Sequence, residues 1–580
     1  MNTINFLLLI MMTLLCFIAL SAKCYSILPT DNLIHKANKY VRIYINKYHI
    51  LLVAILMLVA LFVRAYKFGT IPYGFNQDEA MAALEGLTLS NYGTDHYGMS
   101  YPVYFTAWIV SQMNVLLSYI MIPFFKIFGA SVFSARLPLL VFSIISLWVI
   151  YRFTSKIFGK NTALAVLFFT AINPWQIMMS RWALEANLFP HFMLYGAYLL
   201  YLGLEKRKVY LYLSMLVFGI SMYSYGISYY AVPLFLIVAC IYLLRTKLIK
   251  WKHAAICLLC YLAISWPIFL MTAVNYFKWE TIEISFLTIP LFKEGQRMND
   301  ILIFSDNIYE QFVLNFGSLT KAAFFQMRDL PWNSIPEYGP LYFCSIPLFI
   351  SGLYLIIKKF RKSSKDDPIL SIRKTGIFLI LMFFVIALVS GLITNYVNIN
   401  RTNIIFFPMI IFIGYTIYTL CKRFNLLTIP IALIFILLFS GFSTEYFKGS
   451  HADHLGYNFY HGFGDSLEYV KDKEYDTIYI TAKTQGEEAY FVSEILTLFH
   501  LEIDNEYFRD EAILKRPDGS NHLRYGRRYK YGIDQYAINP ANTTTLYVIH
   551  TSEQSYFDEQ SEHFIFVPFG SYFAVLPKTN

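Results

Sequence analysis

Apolar and polar positions in this chain are sorted into long blocks. Mostly apolar runs of the length a helix needs to cross a hydrocarbon core, about 17 to 25 residues, are separated by short polar stretches. They lie at 5–21, 48–66, 132–151, 161–179, 188–204, 209–224, 227–244, 254–273, 340–357, 375–393, 403–420 and 425–442. The pattern therefore predicts a mainly α chain with about 12 polytopic membrane helices. One more stretch, 108–128, is apolar but interrupted by Ser111, Gln112, Asn114, Ser118, Pro123 and Lys126. It reads as an amphipathic helix along the interface. Beyond 442 the segments shorten: strands are predicted at 476–482, at 545–551 and in HFIFVPF and YFAVLP, with a helix over 487–501. The chain divides into an N-terminal membrane helix and basic linker (1–47), a transmembrane domain (48–442) and a small α/β domain (443–580).

Composition removes the soluble alternative. Hydrophobic residues make up 57% and charged residues only 15% of 580 positions, too few charges to cover a globular surface. Net charge is +9 but unevenly spread. Residues 443–580 hold 12 Lys+Arg and 21 Asp+Glu, against 35 and 17 upstream, so a tail of −9 follows a membrane part of +18. Basic loops kept in the cytoplasm and an exported acidic domain produce that split, and nucleic-acid binding does not.

The basic clusters also set orientation, because short Lys/Arg-rich loops stay inside. Lys36, Lys39, Arg42 and Lys47 put the start of the 48–66 helix inside. If 108–128 does not span, the clusters at 152–160, 206–208, 245–252, 358–374 and 422–423 all fall inside too. Outside then lie the loop 67–131, the turn around Arg181 and Glu185, the loop 274–339, the turn Asn395 to Arg401 and the tail. The first helix carries no positive charge before Leu7 and reads as uncleaved, with its N-terminus outside. The seven cysteines lie in or beside apolar runs, and Cys257 and Cys260 read as packing.

Candidate chemistry sits in the outer loops. Asp78 and Glu79 directly follow the 48–66 helix and precede a helix-like run, Ala80 to Leu89. One reading is local, with Asp78 as N-cap and Glu79 favouring the helix dipole. The other is catalytic, and a resemblance supports it. A first helix, an outer loop with Asp-Glu, a later Pro102, FGASVFSARLP and a second helix resemble the GT-C glycosyltransferases, more narrowly the protein O-mannosyltransferase and aminoarabinose transferase group. The likeness covers about 48–240, and 340–442 as a helix pattern only; nothing specific is recognised in 274–339 or the tail.

The resemblance implies a GT-C fold and a polyprenyl-phosphate sugar donor. It makes Asp78 the catalytic carboxylate, with Glu79 beside it. As general base Asp78 would take the acceptor's proton in a one-step inversion. The leaving lipid phosphate calls for guanidinium donors: Arg136 and Arg401 from the resemblance, and Arg181 from its outer position. Snorkelling is the plain alternative for Arg136. Glu185 would orient the acceptor or share a metal, and its plain alternative is an i, i+4 pair with Arg181. Lys293 and Arg297 are weaker phosphate candidates. No metal site is read from spacing and no cofactor is assigned, although the aminoarabinose branch leaves a divalent metal open. His451, His454 and His461 read as solvated. Expected partners are the lipid-linked donor, membrane lipid and an extracytoplasmic glycan, lipid or protein acceptor. A flippase of lipid-linked sugars is the rival, disfavoured because the helices are nearly free of carboxylates and show no repeat.

Overall fold

The computed structural model describes residues 3–20, 33–107, 111–292, 308–327, 329–362, 368–394, 397–484, 487–503, 514–515, 521–522, 524–525, 528–533 and 535–578. Lys293, Arg297 and Asn395 lie outside them.

Helices dominate, as the apolar blocks predict. The chain begins with α1 (Thr3–Leu20), α2 (Leu33–Lys47) and α3 (His49–Ala65). After the loop helix α4 (Gln77–Tyr92) come α5 (Leu116–Phe128), α6 (Val132–Phe158), α7 (Lys160–Ile172) and the one-turn α8 (Pro174–Met178). Then follow α9 (Glu185–Glu205), α10 (Lys208–Ser221), α11 (Ser228–Arg245), α12 (Trp251–Phe277) and α13 (Ile308–Leu319). The bundle closes with α14 (Ile346–Lys362), α15 (Pro368–Leu392), the short α16 (Ile399–Thr402), α17 (Phe406–Arg423) and α18 (Thr428–Lys448). Each apolar block holds a helix, but 161–179 is divided at Asn173 between α7 and α8, and in 340–357 α14 starts only at Ile346. Among the described residues seven helices are long and apolar enough to cross a membrane, or eight if the bent pair of residues 40–47 and α3 is one span.

Two further boundaries differ from the sequence pattern. The 108–128 segment is not one helix: β1 (Phe105–Ala107) pairs antiparallel with β2 (Ser111–Met113), and only α5 is helical. Ser111 and Gln112 face Ala107 and Thr106 across this ladder, so their backbone groups are satisfied by strand pairing. The last bundle helix, α18, runs to Lys448 rather than 442.

Contacts sort the loops to two ends. At one end Lys156 pairs with Glu205 at 2.6 Å, and Lys359 lies over the Phe158 and Tyr415 rings. The basic turns at 152–160, 206–208 and the end of α14 therefore share that end. At the other lie the first loop, the start of α9 and the tail. There the long loop's hairpin, β3 (Ile282–Ile284) and β4 (Leu287–Ile289), reaches the first loop through Val103 N–H to Thr288 O (2.9 Å) and Thr288 N–H to Tyr101 O (3.1 Å).

The tail is α/β as its pattern predicts. Helices α19 (Ser450–Asn458) and α20 (Phe463–Lys471) lead into β5 (Thr477–Ile480). Two small ribbons follow, β6 (Lys483–Thr484) with β7 (Glu487–Glu488) and β8 (Leu514–Lys515) with β9 (Asn521–His522). Helix α21 (Tyr490–His500) lies between them in sequence. The main sheet has the order β10-β11-β5-β12-β14-β13, from β10 (Arg524–Tyr525), β11 (Tyr529–Tyr531), β12 (Thr545–His550), β13 (Phe564–Phe569) and β14 (Tyr572–Pro577). Strands β11, β5 and β12 are parallel and the outer pairings antiparallel.

This tail does not hang free. Phe499 of α21 packs on Phe75 and Phe125, and one apolar core joins α4 and α5 to α20, α21, β5 and β12. His451 is buried, with Nε2 3.1 Å from Pro331 O, which corrects its reading as solvated. His461 stacks on Tyr73.

Candidate active site

The local sequence explains why Asp78 and Glu79 part ways. Asn76, not Asp78, is the N-cap of α4: its side chain accepts the Asp78 N–H, and Glu79, at N3, accepts the Asn76 N–H to complete a capping box. This corrects the N-cap reading of Asp78, which is the second residue of the helix. Glu79 then points inward and is fully buried. Its carboxylate takes a two-pronged contact from Arg136, Nε to Oε1 at 2.9 Å and Nη2 to Oε2 at 2.8 Å, and accepts the Ala183 N–H at 2.6 Å.

Arg136 is equally committed. Beyond Glu79 it donates to Gly69 O, Pro72 O and Gly74 O, so the five N–H bonds of a guanidinium are all used. It is fully buried. The expected role of Arg136 on a lipid phosphate is therefore corrected: no donor is left for it, and its work is to fold the 69–74 turn around Glu79.

Arg181, too, turns its head into the protein and not toward a carrier phosphate, with both Nη groups taken and Nε alone left without a partner among the described residues. Its head is buried and donates to the carbonyls of Val63, Arg64, Tyr66, Lys67 and Ile71, beside the Phe447 ring. It closes the C-terminal end of α3, where helix carbonyls lack partners. Nor does it pair with Glu185: that carboxylate accepts the Asn114 N–H at 2.7 Å.

From Glu79, the neighbour of Asp78, a series of contacts links further segments. Glu79 ties α4 to Ala183, two residues before Glu185. Asn114, at the end of β2, holds Glu185 and accepts the Tyr229 hydroxyl at 2.8 Å. Asn403 donates to Ala186 O at 2.8 Å, bringing the Arg401 segment to the start of α9. Arg401 is half-buried and donates to the Thr394 hydroxyl. Asp329 accepts the Ile399 N–H at 2.7 Å and clasps the same turn, its carboxyl pushed up by burial. Asp78 itself is half-buried, and with burial its charge helps hold the Tyr460 phenol above the usual range. The tail thus borders the site, with Tyr460 bonded to Gln77.

Sequence reasoning missed Asn114, Asp329 and a buried cluster behind α4. In the cluster Glu85 Oε1 meets His96 Nδ1 at 2.6 Å and Oε2 accepts the His96 N–H. The available signal was polarity inside apolar stretches, as at Asn114. No group of three or more His, Cys, Asp or Glu able to hold a metal occurs among the described residues. A cavity of about 640 Å³, lined by Asn5, Glu337, Glu445 and His454, lies between α1 and α18 and does not border Asp78.

Residues 114–270, from Asn114 into α12, match the family model described as dolichyl-phosphate-mannose-protein mannosyltransferase. No curated protein sequence matches the chain. Among solved structures, the oligosaccharyltransferase AglB of Archaeoglobus fulgidus, in complex with an inhibitory peptide and a dolichol-phosphate, is 12% identical with TM-score 0.46. That alignment covers 78% of this chain, which spans 64% of AglB's length. ArnT of Cupriavidus metallidurans bound to undecaprenyl phosphate is 12% identical with TM-score 0.43, over 91% of this chain and 98% of ArnT.

Proposed function

We propose that this protein is a membrane glycosyltransferase that moves a monosaccharide from a polyprenyl-phosphate carrier to an acceptor hydroxyl on the extracytoplasmic side, with Asp78 as general base. The observation that carries this reading is the division of labour between adjacent carboxylates. Glu79 is locked by Arg136 and the Ala183 N–H, while Asp78, one residue before it, stays half-buried. The family match over 114–270 supplies the reaction class.

In this reading Asp78 accepts the proton of the attacking hydroxyl while the bond from the anomeric carbon to the carrier phosphate breaks. Negative charge grows on the departing phosphate, and Arg401 is the guanidinium we assign to it. Glu185, its orientation set by Asn114, accepts hydrogen bonds from the substrate. Glu79, Arg136 and Arg181 hold the frame. The acceptor is a glycan, a glycolipid or a protein, and the tail beside Asp78 is suited to help select it.

Purified protein in lipid, supplied with radiolabelled polyprenyl-phosphate sugars and a membrane extract, tests this directly. Label is expected on a non-carrier product. Movement of labelled carrier between leaflets of sealed vesicles, with no new glycosidic product, would instead support translocation.

A further inference from the structure

Asn114 is the residue of this region with the least obvious purpose. It interrupts an apolar stretch, is 1% exposed, and sits where β2 hands over to α5. Its backbone N–H holds Glu185 Oε2 at 2.7 Å, and its Oδ1 accepts the Tyr229 hydroxyl at 2.8 Å. Its Nδ2, also buried, donates to no group among the described residues. A buried amide donor left unmade is costly, and native interiors keep few of them. With the amide turned this way Oδ1 takes the Tyr229 hydroxyl and Nδ2 points away from it, and the Glu185 carboxylate held by the Asn114 N–H is the neighbouring acceptor. A buried donor beside a carboxylate matches a hydroxyl, which both accepts and donates.

We infer that Asn114 Nδ2, with Glu185, binds a ring hydroxyl of the sugar carried by the lipid phosphate. This rests on the proposed transfer reaction and names the part of the donor that this corner of the site recognises. Asn114 is then a specificity-determining residue, and Tyr229 a positioning residue acting through it. The chain's own geometry separates the two duties of Asn114: a substitution by Ala or Asp keeps the backbone N–H that anchors Glu185, and only the side-chain donor is lost.

The test compares binding of polyprenyl-phosphate mannose with that of bare polyprenyl phosphate by wild type, Asn114→Ala, Asn114→Asp and Tyr229→Phe, each purified in lipid. Wild type is expected to prefer the sugar-bearing carrier. Asn114→Ala and Asn114→Asp should lose that preference by about tenfold, one hydrogen bond's worth, while holding the bare carrier as wild type does, which also reports that they fold. Tyr229→Phe should lose part of it. Wild-type preference retained in Asn114→Asp, or no preference in wild type, overturns the inference alone. Failure of wild type to bind either carrier overturns the transfer reading and the inference with it.

Discussion

Exchange of Asp78 and of Glu79 should have opposite signatures, although the two are neighbours with the same chemistry. Glu79→Gln leaves the Arg136 guanidinium buried without its counter-ion, and breaking such a pair costs roughly 3–5 kcal/mol. Its thermal aggregation midpoint should fall well below wild type even where no substrate is present, and an unchanged midpoint would contradict the clamp. The sequence marks this pair as unusual but not which member is structural, because the deciding partners, Arg136 and Ala183, stand 57 and 104 residues away. Arg136 and Arg181 were misread for the same reason. An arginine near a membrane edge is recognisable from sequence, whereas a cage of backbone carbonyls from the 63–74 turn is not.

Elements carry the next level of constraint, and the loop after α4 should respond to pH. Asp95 is 1% exposed, and burial, then the Glu85 charge, pushes its carboxyl up from 3.8 to about 7. Burial opposes a charge on His96, yet Glu85 holds the imidazole above its usual range. A raised pKa in the fold means extra protons bound by the native state. The stability this contributes is full below about pH 3.8 and is lost as pH rises through about 7. Asp95→Asn keeps the Met99 N–H acceptor but removes the titration, so its unfolding midpoint should change less than wild type's between pH 4 and pH 8; parallel curves would contradict this. Nearby, Gly74 has φ +79°, and a Cβ there would lie 2.0 Å from Phe459 O. Gly74→Ala should loosen the tail from the first loop, seen as faster protease cleavage within 449–462. Helix positions were legible because each apolar block is its own signal. The β1–β2 hairpin was not, since three-residue strands are set by pairing rather than periodicity.

For the whole molecule, the two-ended distribution of polar groups fits a chain oriented with its basic turns inside. Tyr92, exposed at the end of α4, and Lys362, exposed at the end of α14, lie at opposite ends in this scheme. Cysteines placed there should differ in intact cells, Tyr92→Cys reacting with an impermeant maleimide and Lys362→Cys reacting only after lysis. The reverse pattern would invert the topology. The tail's strands were legible from alternation, but its union with α4 and α5 into one core was not, because the contacts span nearly four hundred residues. The most direct measurement is transfer of label from a polyprenyl-phosphate sugar by Asp78→Asn, alongside its thermal aggregation midpoint. The expected result is a midpoint equal to wild type's with transfer down by about 10²–10⁴. Transfer equal to wild type's would contradict Asp78 as the base.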